Sequence, residues 1–141
     1  MMRVALPDGL RAQILREARS AHPHECCGLI EGVFEVEGVR EAGAFRIAVL
    51  HPARNLADVP DRFEIDPQDQ FAAHKAARAR GHAIVGCYHS HPNGRAEPSM
   101  ADQAGADEEN FLWLIASNDR VNAFVYLDGR FVGADWVTSS V

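Results

Sequence analysis

The sequence predicts a mixed α/β protein of the α+β kind, in which a mixed β-sheet is flanked by helices. Two segments carry helix-start chemistry, at Pro7-Asp8 and at Asp66-Pro67. Between and after them lie short apolar runs of strand length. Helix and strand signals also interleave along the chain, a pattern that favours a sheet with helices packed on it.

Taken in order, residues 7–20 begin with Pro7-Asp8-Gly9, and Leu10, Ile14, Leu15 and Ala18 then recur at helical spacing. His22-Pro23-His24 breaks this helix. Residues 26–30 read as a buried strand, and 33–36 and 44–50 as two more on either side of Gly38 and Gly43. Residues 51–67, polar with three prolines, are the longest loop expected. Asp66 caps a second helix with Pro67 at its first position. Phe71, Ala72, Ala76 and Ala79 carry it to a terminal Gly81, with Arg78 and Arg80 favourably placed in its last turn. Residues 83–91 form an apolar strand ending in polar residues, and 99–107 a short helix. Residues 111–116, 121–127 and 131–137 are three closing strands, the last two joined at Asp128-Gly129, a tight hairpin signal.

The chain has 141 residues, 47% hydrophobic and 24% charged, the balance of a folded protein with a core of its own. A single domain spanning 1–141 is expected. No apolar run approaches the ~18 residues of a membrane helix. The N-terminus lacks the apolar core and cleavage site of a signal peptide, so a cytoplasmic location is expected. Twenty acidic against fourteen basic residues leave a net charge of −6 with the cations scattered, which argues against nucleic acid as a partner. Cys26 and Cys27 are adjacent and Cys87 is distant. That spacing suits neither a mutual disulfide nor a structural zinc site, so buried thiols in a reducing compartment are expected.

Chemistry concentrates in residues 88–102. His89 and His91 stand two apart at a strand end, so both rings leave the same face and can form half of a zinc site. Pro92 turns the chain, and Asp102, in the first turn of the next helix, is the best third ligand. Two histidines and a carboxylate leave a fourth position for water, as catalytic zinc requires. Each residue also has a plainer reading. An H-x-H pair alone is weak evidence, and Ser99-x-x-Asp102 has the spacing of an ordinary capping box.

His89-x-His91-Pro92, six residues, then Ser99-x-x-Asp102 resembles the JAMM motif of the MPN-domain zinc metallopeptidases. Glu25-Cys26-Cys27-Gly28-Leu29 resembles the upstream segment that carries the motif's glutamate in short bacterial members. The resemblance implies an MPN/JAB domain of cytidine-deaminase-like architecture. It implies Zn²⁺ held by His89, His91 and Asp102, with Glu25 as general base and Ser99 as donor to the oxyanion. The implied substrate is a ubiquitin-like sulfur-carrier protein, cut at the amide bond after its C-terminal diglycine. A homodimer is an assembly open to such a chain.

Other residues carry weaker expectations. Cys87 shares strand parity with His89 and His91 and reads as core beneath the site. His22 and His24 offer a remote second metal site, and His74 falls on the polar side of its helix. Trp113 and Trp136 are core or rim aromatics, and Arg95 sits at the mouth of the cleft, where it can meet a substrate carboxylate. Two alternatives stand beside the peptidase. A cupin-like metal site would use the H-x-H pair with Glu97, though cupins are all-β. An MPN-like interaction module would scaffold a partner without catalysis. Motifs of metallo-β-lactamases, zinc deaminases, H-E-x-x-H proteases and G-x-S-x-G hydrolases are absent.

Overall fold

The computed structural model describes residues 1–38 and 42–137. In chain order these form β1 (Met2–Ala5), α1 (Asp8–Ala21), β2 (Cys27–Val36), β3 (Gly43–Ala53), α2 (Pro67–Ala79), β4 (Ala83–Ser90), α3 (Met100–Gly105), β5 (Phe111–Ser117), β6 (Arg120–Leu127), β7 (Arg130–Gly133) and β8 (Asp135–Trp136). All eight strands join one mixed sheet, ordered β7-β6-β5-β4-β2-β3-β1-β8. Among the described residues no helix is long and apolar enough to cross a membrane.

Strand alternation divides the core into two faces. On one, Ile14 of α1 packs with Ile30, Phe45, Tyr88, Leu112 and Leu114. On the other, Ala73 and Ala77 of α2 pack with Leu29, Ile84, Cys87 and Trp113. Cys87 and His89 share this second face, so the thiol is core one layer beneath the histidine. Gly28 opposes Tyr88 across the β2–β4 ladder, and a Cβ there would lie 2.4 Å from the phenol ring. The glycine thereby makes room for Tyr88, whose hydroxyl donates to Glu17 of α1 at 2.8 Å.

The expected helix starts hold. Leu10 N and Arg11 N donate to Pro7 O, and the Asp66 side chain accepts from Gln68 N at 2.9 Å. Gly81 ends α2 with φ +75°, and Asp128 and Gly129 both take positive φ in the β6–β7 turn, the two-residue geometry that matches strand twist.

Five expectations are corrected. Residues 2–5, read as no element, form β1, because Met2 and Val4 bury their side chains beside β3. The strands expected at 26–30 and 33–36 are one ten-residue strand. Glu31-Gly32 looked like an interruption but is a bulge, with register shifts on either side of Glu31. β3 runs on to Ala53, through Pro52, into the expected loop. The buried stripe of α2 is Ala73 and Ala77, not Ala72 and Ala76, and Phe71 is 68% exposed, so the apolar face is turned by one position from the expected one.

The strand expected at 131–137 divides: β7 pairs with β6, and β8 pairs in parallel with β1 at the opposite sheet edge. Ala134 alone separates these strands, a span of roughly 7 Å at most. The sheet must therefore curl until its two edges nearly meet.

Candidate metal centre

The site forms where β4 ends beside the start of β2. Ser90 N donates to Cys26 O at 3.1 Å, and Cys26 N donates to Ser90 Oγ at 2.9 Å. This clasp brings Glu25, the residue before it, alongside His91. His89, the penultimate residue of β4, is fully buried, and Glu25, His91 and Asp102 are at most 5% exposed.

His89 Nε2 lies 3.0 Å from His91 Nε2, and Asp102 Oδ2 lies 3.1 Å from each. Zinc bonds of about 2.0–2.1 Å put neighbouring tetrahedral ligand atoms roughly 3.3 Å apart, so this triangle has nearly the edge that one ion needs. Ligand atoms of Glu25, His89 and His91 also lie within 4.8 Å of one another. Among the described residues Glu25 Oε1 is buried without a hydrogen-bond partner, so the carboxylate faces the triangle with an acceptor to spare. Two nitrogens, one carboxylate oxygen and an unengaged carboxylate are a donor set that fits a zinc ion with an open position.

Asp102 shows that the capping and ligand readings are compatible. Its amide donates to Ser99 Oγ at 3.0 Å, and its Oδ2 accepts from Ser99 N at 2.9 Å, a complete capping box. That reciprocal pair fixes the same oxygen that faces both histidines. Ser99 Oγ accepts in this cap, leaving its O–H free to donate elsewhere.

The histidines are held differently. His91 Nδ1 donates to Arg95 O at 2.7 Å, fixing its ring with Nε2 toward the triangle, and Ser117 Oγ donates to the His91 carbonyl. His89 Nδ1 has no such partner among the described residues. Its ring is instead stacked on Phe63, with centroids 4.3 Å apart, and meets the edge of Trp113 at 5.7 Å.

Environment separates the four protonation equilibria. Burial pushes the Glu25 carboxyl up to about 7; His91 opposes this, and Asp102 and Asp61 add to it. Burial would raise Asp102 too, but hydrogen bonds with His89 and His91 outweigh it and hold the carboxyl well below its usual range. Burial lowers His89. For His91 it is outweighed by hydrogen bonds with Asp102 and the Arg95 carbonyl, and the imidazole is raised.

Two hollows meet at the site. A cleft of about 640 Å³ is lined by Glu25, Asp61, His91, Ser99, Met100 and others. A second pocket, of about 320 Å³, lies between Phe63, Cys87, Asp102, Phe111 and Trp113. Ala101 lines both, with Met100 on the cleft side and Asp102 on the pocket side, so α3 forms the divide between them.

All five expected site residues are therefore close together, with Ser99 beside Asp102. Glu97, the ligand of the cupin-like alternative, is exposed, and the fold with three helices is not all-β. His22 lines the cleft and His24 a neighbouring groove, and the metal-capable group found among the described residues contains neither. His74 is exposed, as expected. Arg95 is exposed and contributes its carbonyl to His91. Phe63 and Asn55, both within the polar 51–67 stretch, belong to no motif that marks them. An aromatic amid loop residues was the one available signal for Phe63.

Comparison with known proteins places the class. A profile described as prokaryotic homologs of the JAB domain matches residues 7–127. The chain is 30% identical over 139 residues to a desampylase from Haloferax volcanii, covering 95% of this chain and 88% of the relative. It is 34% identical over 131 residues to a probable TtuB-protein conjugate cleaving protease from Thermus thermophilus, covering 90% and 78%. The solution structure of protein DSY2949 from Desulfitobacterium hafniense superposes with a TM-score of 0.78 at 27% identity, covering 97% and 92%. The chain belongs to the prokaryotic JAB-domain family.

Proposed function

We propose that the chain is a zinc-dependent peptidase or isopeptidase that hydrolyses the amide bond after the C-terminal diglycine of a ubiquitin-like sulfur-carrier protein. The observation that carries this is the triangle of His89 Nε2, His91 Nε2 and Asp102 Oδ2, with the unengaged Glu25 carboxylate facing it. His89, His91 and Asp102 would hold the ion. Zinc bound there supplies a Lewis acid and lowers the pKa of a water toward ~7.

Glu25 takes the proton of the attacking water and returns it to the departing amine, a shuttle that its buried position beside His91 allows. Ser99 donates its free O–H to the carbonyl oxygen as that atom gains charge, while its own oxygen stays committed to the α3 cap. The capping box keeps Asp102 from swinging away. The hollows on either side of α3 give room for chain on both sides of a scissile bond. Reaching a centre this buried demands a thin, extended chain, which suits a glycine-rich tail. The names of the two relatives, a desampylase and a conjugate-cleaving protease, support a ubiquitin-like conjugate as the substrate class.

The test has two parts. Purified protein should carry close to one equivalent of zinc, and less than about half after careful handling counts heavily against the proposal. Candidate carriers bearing C-terminal extensions, or joined to a lysine, should lose mass at the Gly–X bond with wild type and not with Glu25→Ala. Identical masses with both proteins across all carriers would sink the peptidase reading for those substrates.

A further inference from the structure

We infer that Asn55 is a positioning residue: its carboxamide fastens the segment 56–64, which carries Phe63 onto the ring of His89, to the backbone of Glu25. This rests on the proposed function for its catalytic meaning, though its geometry stands apart from it.

Asn55 follows β3 and is partly buried. A neutral carboxamide has two N–H donors and two acceptor lone pairs, and here all four are used. Nδ2 donates to Glu25 O at 3.0 Å and to Arg62 O at 3.3 Å. Oδ1 accepts from Ala57 N and from Glu64 N, each at 2.9 Å. Backbone pairing closes the same loop from outside. Asn55 bridges Ile65, Leu56 N donates to Glu64 O at 2.8 Å, and Asp66 N donates to Arg54 O at 3.0 Å. One side chain thus ties both limbs of a nine-residue excursion together and ties the result to the main chain of Glu25.

The tied segment bears directly on the centre. Phe63 stacks on His89 at 4.3 Å and contacts Trp113 edge-on at 6.1 Å. Because His89 Nδ1 has no hydrogen-bond partner among the described residues, this stack is the restraint that replaces the usual outer-shell bond to a ligand histidine. Pro60 and Asp61 line the cleft, and Arg62 and Phe63 line the second pocket. A single carboxamide therefore sets two things at once: the carbonyl end of the Glu25 residue, and the aromatic wall over His89.

Two substitutions separate these roles. Asn55→Asp keeps acceptors for Ala57 N and Glu64 N but removes the N–H donors to Glu25 O and Arg62 O. Asn55→Ala removes all four bonds. Two-dimensional NMR of the imidazole protons reads the wall without any metal or substrate, because a stacked phenyl ring shifts the His89 protons strongly upfield. In Asn55→Ala those protons should move toward ordinary shifts while those of His51 and His82 stay in place. With carrier substrate, Asn55→Asp should lower kcat about 10–100-fold with KM within about twofold, the scale expected when a catalytic group is slightly misplaced. Asn55→Ala should raise KM as well. Unchanged His89 shifts in Asn55→Ala would overturn the inference, as would kcat and KM within twofold of wild type in Asn55→Asp. If wild type cleaves no carrier, the function proposal fails and the NMR arm still decides the role of Asn55. If Asn55→Ala does not fold, the His89 shifts of Asn55→Ser, whose hydroxyl falls short of the four carboxamide partners, serve as that arm, with loss of the upfield position expected.

Discussion

Two buried glutamates, one just before β2 and one within it, each lie near two histidines, yet their environments are opposite. Glu31, in the middle of β2, has every oxygen engaged. Arg80 grips it with Nε at 2.8 Å and Nη2 at 2.7 Å, His51 Nε2 lies 2.8 Å away and His82 Nδ1 2.7 Å away. The Arg80 bonds come first among the causes that hold its carboxyl down at about 2, against burial. Among the described residues Glu25, just before β2, has no arginine partner and keeps one oxygen unpartnered, and burial drives its carboxyl up to about 7. The residue types are nearly the same. A guanidinium across one carboxylate makes a rivet between β2 and the α2–β4 connection; its absence at the other leaves a group able to exchange a proton.

The contrast breaks most visibly in turnover. Glu25→Gln should reduce cleavage on the order of 10²–10⁴-fold, with a melting temperature close to wild type because no partnered charge is lost. Glu31→Gln should leave kcat within a few-fold. If the two variants exchange these phenotypes, the assignment of roles is wrong. Next in size is metal: Asp102→Ala should retain less than a tenth of an equivalent of zinc by elemental analysis, whereas Glu31→Gln should retain the wild-type content.

Stability then separates them in the other direction. Glu31→Gln leaves Arg80, His51 and His82 facing a neutral amide and should cost about 2–3 kcal/mol, less than breaking a fully buried pair costs because Arg80 is half exposed. Calorimetry should show this as a fall in melting temperature of roughly 5–10 °C. The acid limb sharpens the same point. The folded-state pKa of Glu31 lies below its unfolded value of 4.5, so its stabilisation is full above that value and is lost as pH falls toward 2. Between pH 5 and 2 wild type should lose more stability than Glu31→Gln; parallel curves would mean that the rivet is not charged. Smallest is Ser99→Ala, which removes both a cap and a donor: about 0.5–2 kcal/mol of stability and a drop in kcat that a cap alone would not produce.

What could be read from the chain follows from sequence distance. His89, His91, Ser99 and Asp102 sit on one strand–loop–helix run, so strand parity and cap spacing were enough to bring them together. Glu25 lies sixty-odd residues upstream, and only its resemblance to a family segment marked it. The Glu31 cluster left no local trace. Arg80 reads as a helix-end cation and His82 as a loop residue, because their partner is a long-range neighbour chosen by the sheet. Phe63 and Asn55 escaped for the same reason: a loop's value depends on what lies under it. The division of residues 131–137 between two sheet edges depends on how far the sheet curls, which no local pattern encodes.

The parallel pairing of β1 with β8 has a consequence for synthesis. β1 is made long before β8 and cannot have its outer edge covered until Asp135 and Trp136 have been made. Every residue proposed to hold or serve the metal emerges more than thirty positions earlier. The nascent chain thus passes through a stage in which the reactive end of β4 can be assembled while β1 still presents open backbone groups to other chains. The pairing is also of very high sequence separation, so its loop-closure entropy favours late formation. The catalytic half can thus be built early, with the closing of the curled sheet left to β8.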